Sequence, residues 1–190
     1  PGQNDTPHPT QPVVSPRGNP NNRGGQGPRQ APAVVAPARK PFTEGSGRLE
    51  LAKVIASPDN PLTARVMANR FWYLLFGSGL AQVLDDFGGQ GEPPTHPELL
   101  DRLALEFVEH HWDIKHMMKF IVMSRAYQLS SQGRDDLSEK DPLNRLCSHQ
   151  SQFRFPAEVI RDSTLFVSGL LVDKIGGPSA QPYQPALYYR

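Results

Sequence analysis

Residues 58–101, PDNPLTARVMANRFWYLLFGSGLAQVLDDFGGQGEPPTHPELLD, hold this chain to a narrow set of folds. Pro58 and Pro61 end any helix that precedes them, because proline lacks the N–H a helix needs and biases its predecessor away from helical backbone. Asn60-Pro61 then starts a new helix, with Asn at the N-cap and Pro at the first helical position. That helix runs to about Phe76, where Gly77 and Gly79 supply a C-cap. Leu62, Val66 and Tyr73 mark one stripe, and Arg65, Asn69, Trp72 and Phe76 line a second. Arg65, Asn69 and Arg70 therefore sit in an otherwise apolar helix. Residues 80–94 have no helical period and contain Gly88, Gly89, Gly91, Pro93 and Pro94.

The same logic places five further helices. Residues 48–57 form the first, with Leu49, Ala52, Val54, Ile55 and Ala56 as its apolar positions. Thr95-His96-Pro97-Glu98 reads as a capping box, followed by Leu100, Leu103, Ala104, Phe107, Val108 and His111 at helical spacing. Asp113 caps a fourth helix reaching about Tyr127, with Ile114, Met117, Met118, Ile121 and Val122 buried. After a polar connection over 133–141, Asp141-Pro142 starts a fifth helix, to about Gln150. A sixth spans 156–172, turning Val159, Ile160, Val167, Leu170 and Leu171 inward. No alternating strand pattern competes, so the predicted class is all-α, an irregular bundle of short helices with one long Gly/Pro-rich loop.

Residues 1–46 hold ten Pro and six Gly, with Phe42 as their one aromatic. Such a stretch buries too little to offset the roughly 1–2 kcal/mol per residue lost on ordering a backbone. It reads as a disordered linker ahead of a helical domain over 47–190. Five Lys and Arg against two Asp and Glu make the linker basic, whereas the remainder carries fifteen against seventeen. The folded part thus offers no cationic field, and nucleic acid is not an expected partner. Arg23-Gly24-Gly25 has no aromatic interleaving and reads as solvated linker. The single cysteine, Cys147, excludes an internal disulfide or a C-x-x-C site in these residues and reads as a small core residue. No apolar run approaches the roughly 20 residues of a membrane span. No signal peptide opens the sequence, but it opens within a linker, so export of a parent protein stays open.

Several motifs carry a resemblance: Arg48-Leu-x-Leu-Ala52, Asn60-Pro-Leu-x-Ala-Arg65-Val-Met-x-Asn69-Arg70-x-Trp72, Phe76-Gly-x-Gly79-Leu and Asp85-Asp-Phe-Gly88. Gly91-Glu-Pro-Pro-x-His96-Pro-Glu-Leu-Leu-Asp101, Tyr127 and Glu158-x-x-Arg161-Asp162 add to it. Over about residues 47–180 the chain resembles the planctomycete-type C-terminal domain of unknown function of large bacterial surface proteins. Those proteins also carry cytochrome c domains and sometimes a concanavalin-like carbohydrate-binding domain. The resemblance implies a large multidomain parent that is extracytoplasmic, in the periplasm or at the cell surface, because haem c is attached outside the cytoplasm. It implies no cofactor in this chain, with haem c on other domains. Neighbouring domains would be its partners, with carbohydrate or another protein as further ones. It also implies that the domain runs past Gly176-Gly177-Pro178, leaving 182–190 without their full packing. The chain departs from the usual pattern at His110 and His111, where a small polar residue and Gly are typical, and at Met118, where His is common.

The polar residues of this stretch admit two readings. Asp85, Asp86 and His96 beside two guanidiniums are candidates for proton transfer or anion binding. A glycine-rich loop without a ladder also needs clamps, and Arg65, Asn69, Arg70, Trp72 and Asp101 are the residues expected to hold it, with the arginines buried against 80–94. Glu158, Arg161 and Asp162 share a helix face and read as pairing residues. His110 and His111 are adjacent, about 100° apart on a helix, and cannot chelate one ion well. With His116 they offer no carboxylate spacing that suggests a metal, so none is expected. Gly88-Gly89-Gln90-Gly91 is no phosphate loop, since no strand precedes it and no Gly-Lys-Ser/Thr follows. Met117, Met118 and Met123 read as core filler. Without a complete catalytic set, the sequence points away from catalysis and toward a structural or interaction module. The rival reading is a subdomain of an extracytoplasmic enzyme or redox protein linked to polysaccharide use, with a polar Asp/His/Arg cleft.

Overall fold

The structure is a computed structural model and describes residues 9–178 other than 11, 20, 37, 39 and 134; the expectation for 182–190 lies outside them. Among the described residues the fold is all-α. Its helices are α1 (Arg48–Ile55), α2 (Thr63–Phe76), α3 (Pro97–Glu109), α4 (Ile114–Val122), α5 (Asp135–Ser138) and α6 (Ala157–Val167). Among the described residues one bridge pairs Val13 with Gln26, and Pro16–Gly18 forms a 3-10 turn. The chain divides into two compact units, Pro1–Gln152 and Phe153–Arg190. No described helix is long and apolar enough to cross a membrane.

The core of the first unit is built by α2, α3 and α4. Ala68, Phe71, Trp72 and Phe76 pack with Leu80, Leu100, Leu103, Phe107, Met117 and Ile121. Trp72 stacks on Phe76 with ring centroids 4.0 Å apart, and Phe71 meets Phe107 edge-on at 5.4 Å. The stripe of α2 carrying Asn69, Trp72 and Phe76 is thus core, whereas Tyr73 of the more apolar-looking stripe is exposed. The C-terminal end of α2 follows the sequence, whereas its first turn begins at Thr63 with Leu62 at the N-cap, two residues beyond the expected Asn60-Pro61 start. Asn60 Oδ1 accepts from the Leu62 N–H at 2.9 Å, and its Nδ2 donates to the Val54 carbonyl at 3.2 Å, coupling α1 to α2. Gly77, at φ 77°, closes the helix by donating to the Tyr73 carbonyl.

Elsewhere local side-chain chemistry overrides periodicity. The expected capping box at 95–98 does not form. Thr95 reaches back instead, its N–H and Oγ1 both donating to the Leu80 carbonyl at 2.9 and 3.3 Å. Helix α3 stops at Glu109, and positive φ at His111 (54°) and Trp112 (61°) turns the chain, so His111 leaves the helical stripe. Asp113 then caps α4 as expected, Oδ1 accepting from the His116 N–H at 3.1 Å, but α4 ends at Val122 rather than near Tyr127. No helix forms over 141–150. Asp141 accepts from the Arg145 and Leu146 N–H groups at 2.9 and 2.7 Å, and Asn144, at φ 50°, accepts from Ser148 N–H at 2.9 Å. Asp and Asn side chains here outcompete the helix for the backbone. Helix α5 instead occupies part of the expected polar connection. Helix α1 has no buried residue, and the residues of 156–172 expected to face inward, Val159, Ile160, Val167, Leu170 and Leu171, are all exposed.

Candidate functional site

The loop clamp is built around Asn69. Its side chain has no exposed surface. Nδ2 donates to the Ala81 carbonyl at 2.9 Å, and Oδ1 accepts from the Ala81 N–H at 3.0 Å. Gly79 makes room for this: a Cβ there would meet the Ala81 oxygen at 2.4 Å and both amide atoms of Asn69 at 2.9 Å.

The arginines do something different from the burial expected of them. Arg65 pairs with Asp101 on α3, Nε to Oδ1 at 2.6 Å, and Nη1 also donates to the Pro61 carbonyl. Arg70 does reach the loop, through Asp85 at 2.5 Å, but the two side chains are 49% and 81% exposed. Long arginine side chains carry their charge out to water, so the same helix faces that bury a short amide leave guanidiniums at the rim.

Asp85, Asp86 and His96 each bond a different partner, Asp85 through Arg70 as above. Asp86 Oδ1 accepts from the Gly88 N–H at 2.8 Å, an Asx turn inside the loop. His96 Nδ1 bonds Thr95 Oγ1 at 3.0 Å. Among the described residues no hydrogen bond or ion pair joins His96 to either aspartate. In the second unit Arg161 pairs with Asp162 at 2.9 Å, both exposed, and Glu158 makes no ion pair among the described residues.

Among the described residues a titratable cluster of one carboxylate and two imidazoles lies elsewhere. Glu106 is buried on α3 with its side chain only 7% exposed. Oε2 accepts from Arg102 Nη2 at 2.8 Å, Oε1 lies 3.0 Å from His116 Nε2, and His110 Nδ1 stands 3.3 Å from Oε1. The two imidazoles stack with centroids 3.7 Å apart. The His116 hydrogen bond, helped by the charges of His110, Arg102 and His116, holds the Glu106 carboxyl below the usual carboxylate range against the opposing effect of burial. Sequence reasoning passed over Glu106; the available signal was its spacing of four from His110 on one helix face. His111, which adjacency made the doubtful partner, is outside the cluster.

A cleft of about 170 Å³ is lined by Trp72, Phe76, Gly79, Arg145 and Cys147 among others. That is below the roughly 300 Å³ at which pockets begin to enclose a small-molecule ligand. Burial, and next the Asp141 charge, push the Cys147 thiol up, so it is no ready nucleophile.

No curated protein and no solved structure matches the chain. A family match does cover residues 47–190, from the start of α1 onward, and by it the chain belongs to the PSD1 family, described as a protein of unknown function (DUF1553).

Proposed function

We propose that this chain is a non-catalytic helical interaction module of a large exported protein, with haem c on other domains and neighbouring domains of the same parent as its partners. The supporting observation is α6. It is 11 residues long and buries none of them, while Phe166 and Val167 are 73% and 86% exposed and Val159 and Ile160 are exposed beside them. A helix this short gains too little from its own hydrogen bonds to persist in water, so its apolar side chains need a surface to cover. The parent context, export and a carbohydrate or protein partner rest on the motif resemblance alone. The enzyme reading needs Asp85, Asp86 and His96 to act together, and each is engaged with a different partner, Arg70, Gly88 and Thr95.

Amide hydrogen exchange of α6 tests the proposal, comparing this chain alone with the intact parent. Amides of residues 160–167 should exchange at least about tenfold more slowly in the parent, and Phe166→Asp should abolish that protection. Equal exchange in both settings would reject an interaction role for this helix.

A further inference from the structure

We propose that Glu106, His110 and His116 form a binding site for a first-row divalent cation, with Zn²⁺ the best match to the donors. A carboxylate and two imidazoles are the donor set of many three-ligand zinc sites, and one coordination position is then left open. The three donor atoms already lie within 4.8 Å of one another. In a tetrahedral shell with bonds of about 2.0–2.2 Å, neighbouring donors stand roughly 3.3–3.6 Å apart. Glu106 Oε1 is 3.0 Å from His116 Nε2 and 3.3 Å from His110 Nδ1, so the donor separations are close to those of a shell, and the stacked rings must turn for their lone pairs to converge.

The fold supplies the support such a site requires. Glu106 and His110 lie one turn apart at the end of α3, and the left-handed pair His111 and Trp112 folds the chain back so that the first turn of α4 brings up His116. Asp113 fixes the His116 backbone through its cap. Arg102 holds Glu106 Oε2, leaving Oε1 as a single donor, which is the orienting role an outer partner plays in metal sites. The stacked imidazoles are 44% and 34% exposed, so each ring is free to turn its lone pair toward an ion; His110 Nδ1 then gives up its contact with the Glu106 carbonyl at 3.0 Å. His116 also borders an open cavity of about 470 Å³ shared with Lys119, Phe120, Met123 and Ser124, where water would complete the shell.

The test is calorimetric titration of the chelator-treated full chain with ZnSO₄, repeated for His110→Ala, His116→Ala and His111→Ala. The site predicts one equivalent bound, with affinity lowered at least about tenfold in the first two variants, since even outer-partner changes commonly cost that much. His111→Ala should bind as the unaltered chain does. Circular dichroism checks the fold of each variant. Should His116→Ala not fold, exposed His110 decides the matter through the visible Co²⁺ spectrum, which should lose its tetrahedral intensity in His110→Ala. Absence of one-equivalent binding, undiminished affinity or Co²⁺ intensity in His110→Ala, or dependence on His111 would each overturn the assignment.

Discussion

A carboxamide can give and take a hydrogen bond with one peptide unit at once, and Asn69 does so with Ala81 at zero exposure. Removing it leaves a buried N–H and a buried carbonyl without partners, each costing about 1–3 kcal/mol. Asn69→Ala should therefore lower stability by roughly 2–6 kcal/mol in urea unfolding, whereas Arg70→Ala should cost less than about 1 kcal/mol, as solvent-exposed pairs do. If Arg70→Ala proved the more damaging, the amide would not be the loop's anchor. The helical period put Arg65 and Asn69 on one stripe but could not rank their depth. Side-chain length decides that: an arginine spans the rim to Asp101, while a short amide must find its partners where it stands.

At the scale of elements, α2, α3 and α4 were legible because each carries a sustained 3.6-residue apolar period, but only α2 has its stop written in the sequence, at Gly77, and α3 and α4 end earlier than their periods run. The stretch at 141–150 was not, because the Asp-Pro signature of a helix start is shared by turns in which Asp and Asn bond the backbone directly. Glu106 escaped notice for a related reason: its partner His116 lies across a corner made by two residues at positive φ, a geometry no periodicity announces. The loop after α2 depends on Gly79 for close approach rather than for an unusual backbone angle. Gly79→Ala should lower stability by about 1–3 kcal/mol in thermal melts, whereas Gly89→Ala, with nothing within 4 Å of its added methyl, should stay within about 0.5 kcal/mol. Equal effects at the two positions would contradict the packing around Asn69.

For the whole molecule, acid is the expected weakness. Glu106 and Asp113 both hold protons less tightly folded than unfolded, Glu106 chiefly through His116 and Asp113 chiefly through the His116 backbone N–H. With depressed folded values, their stabilisation is fully present above the unfolded carboxylate range, about pH 4–4.5, and is lost as pH falls through the folded values. Melting temperature should fall steeply below about pH 4, and Glu106→Gln, though weaker throughout, should show a shallower acid limb. An unchanged limb would mean this carboxylate does not govern acid unfolding.

The bonds from Thr95 to Leu80, next to the Asn69 grip on Ala81, gather the two ends of the intervening segment at one buried stem. What lies between is an excursion hung from a closed neck and tied down at Asp85 to Arg70, at Glu92 to Arg145 and at Phe87 on the core. Only an insertion at its open tip, by Gly89, adds chain entropy alone, at about 0.6 kcal/mol for each doubling. Residues 82–94 can therefore take an insertion at that tip without reopening the helical packing beneath, whereas a change at Phe87 reaches the core.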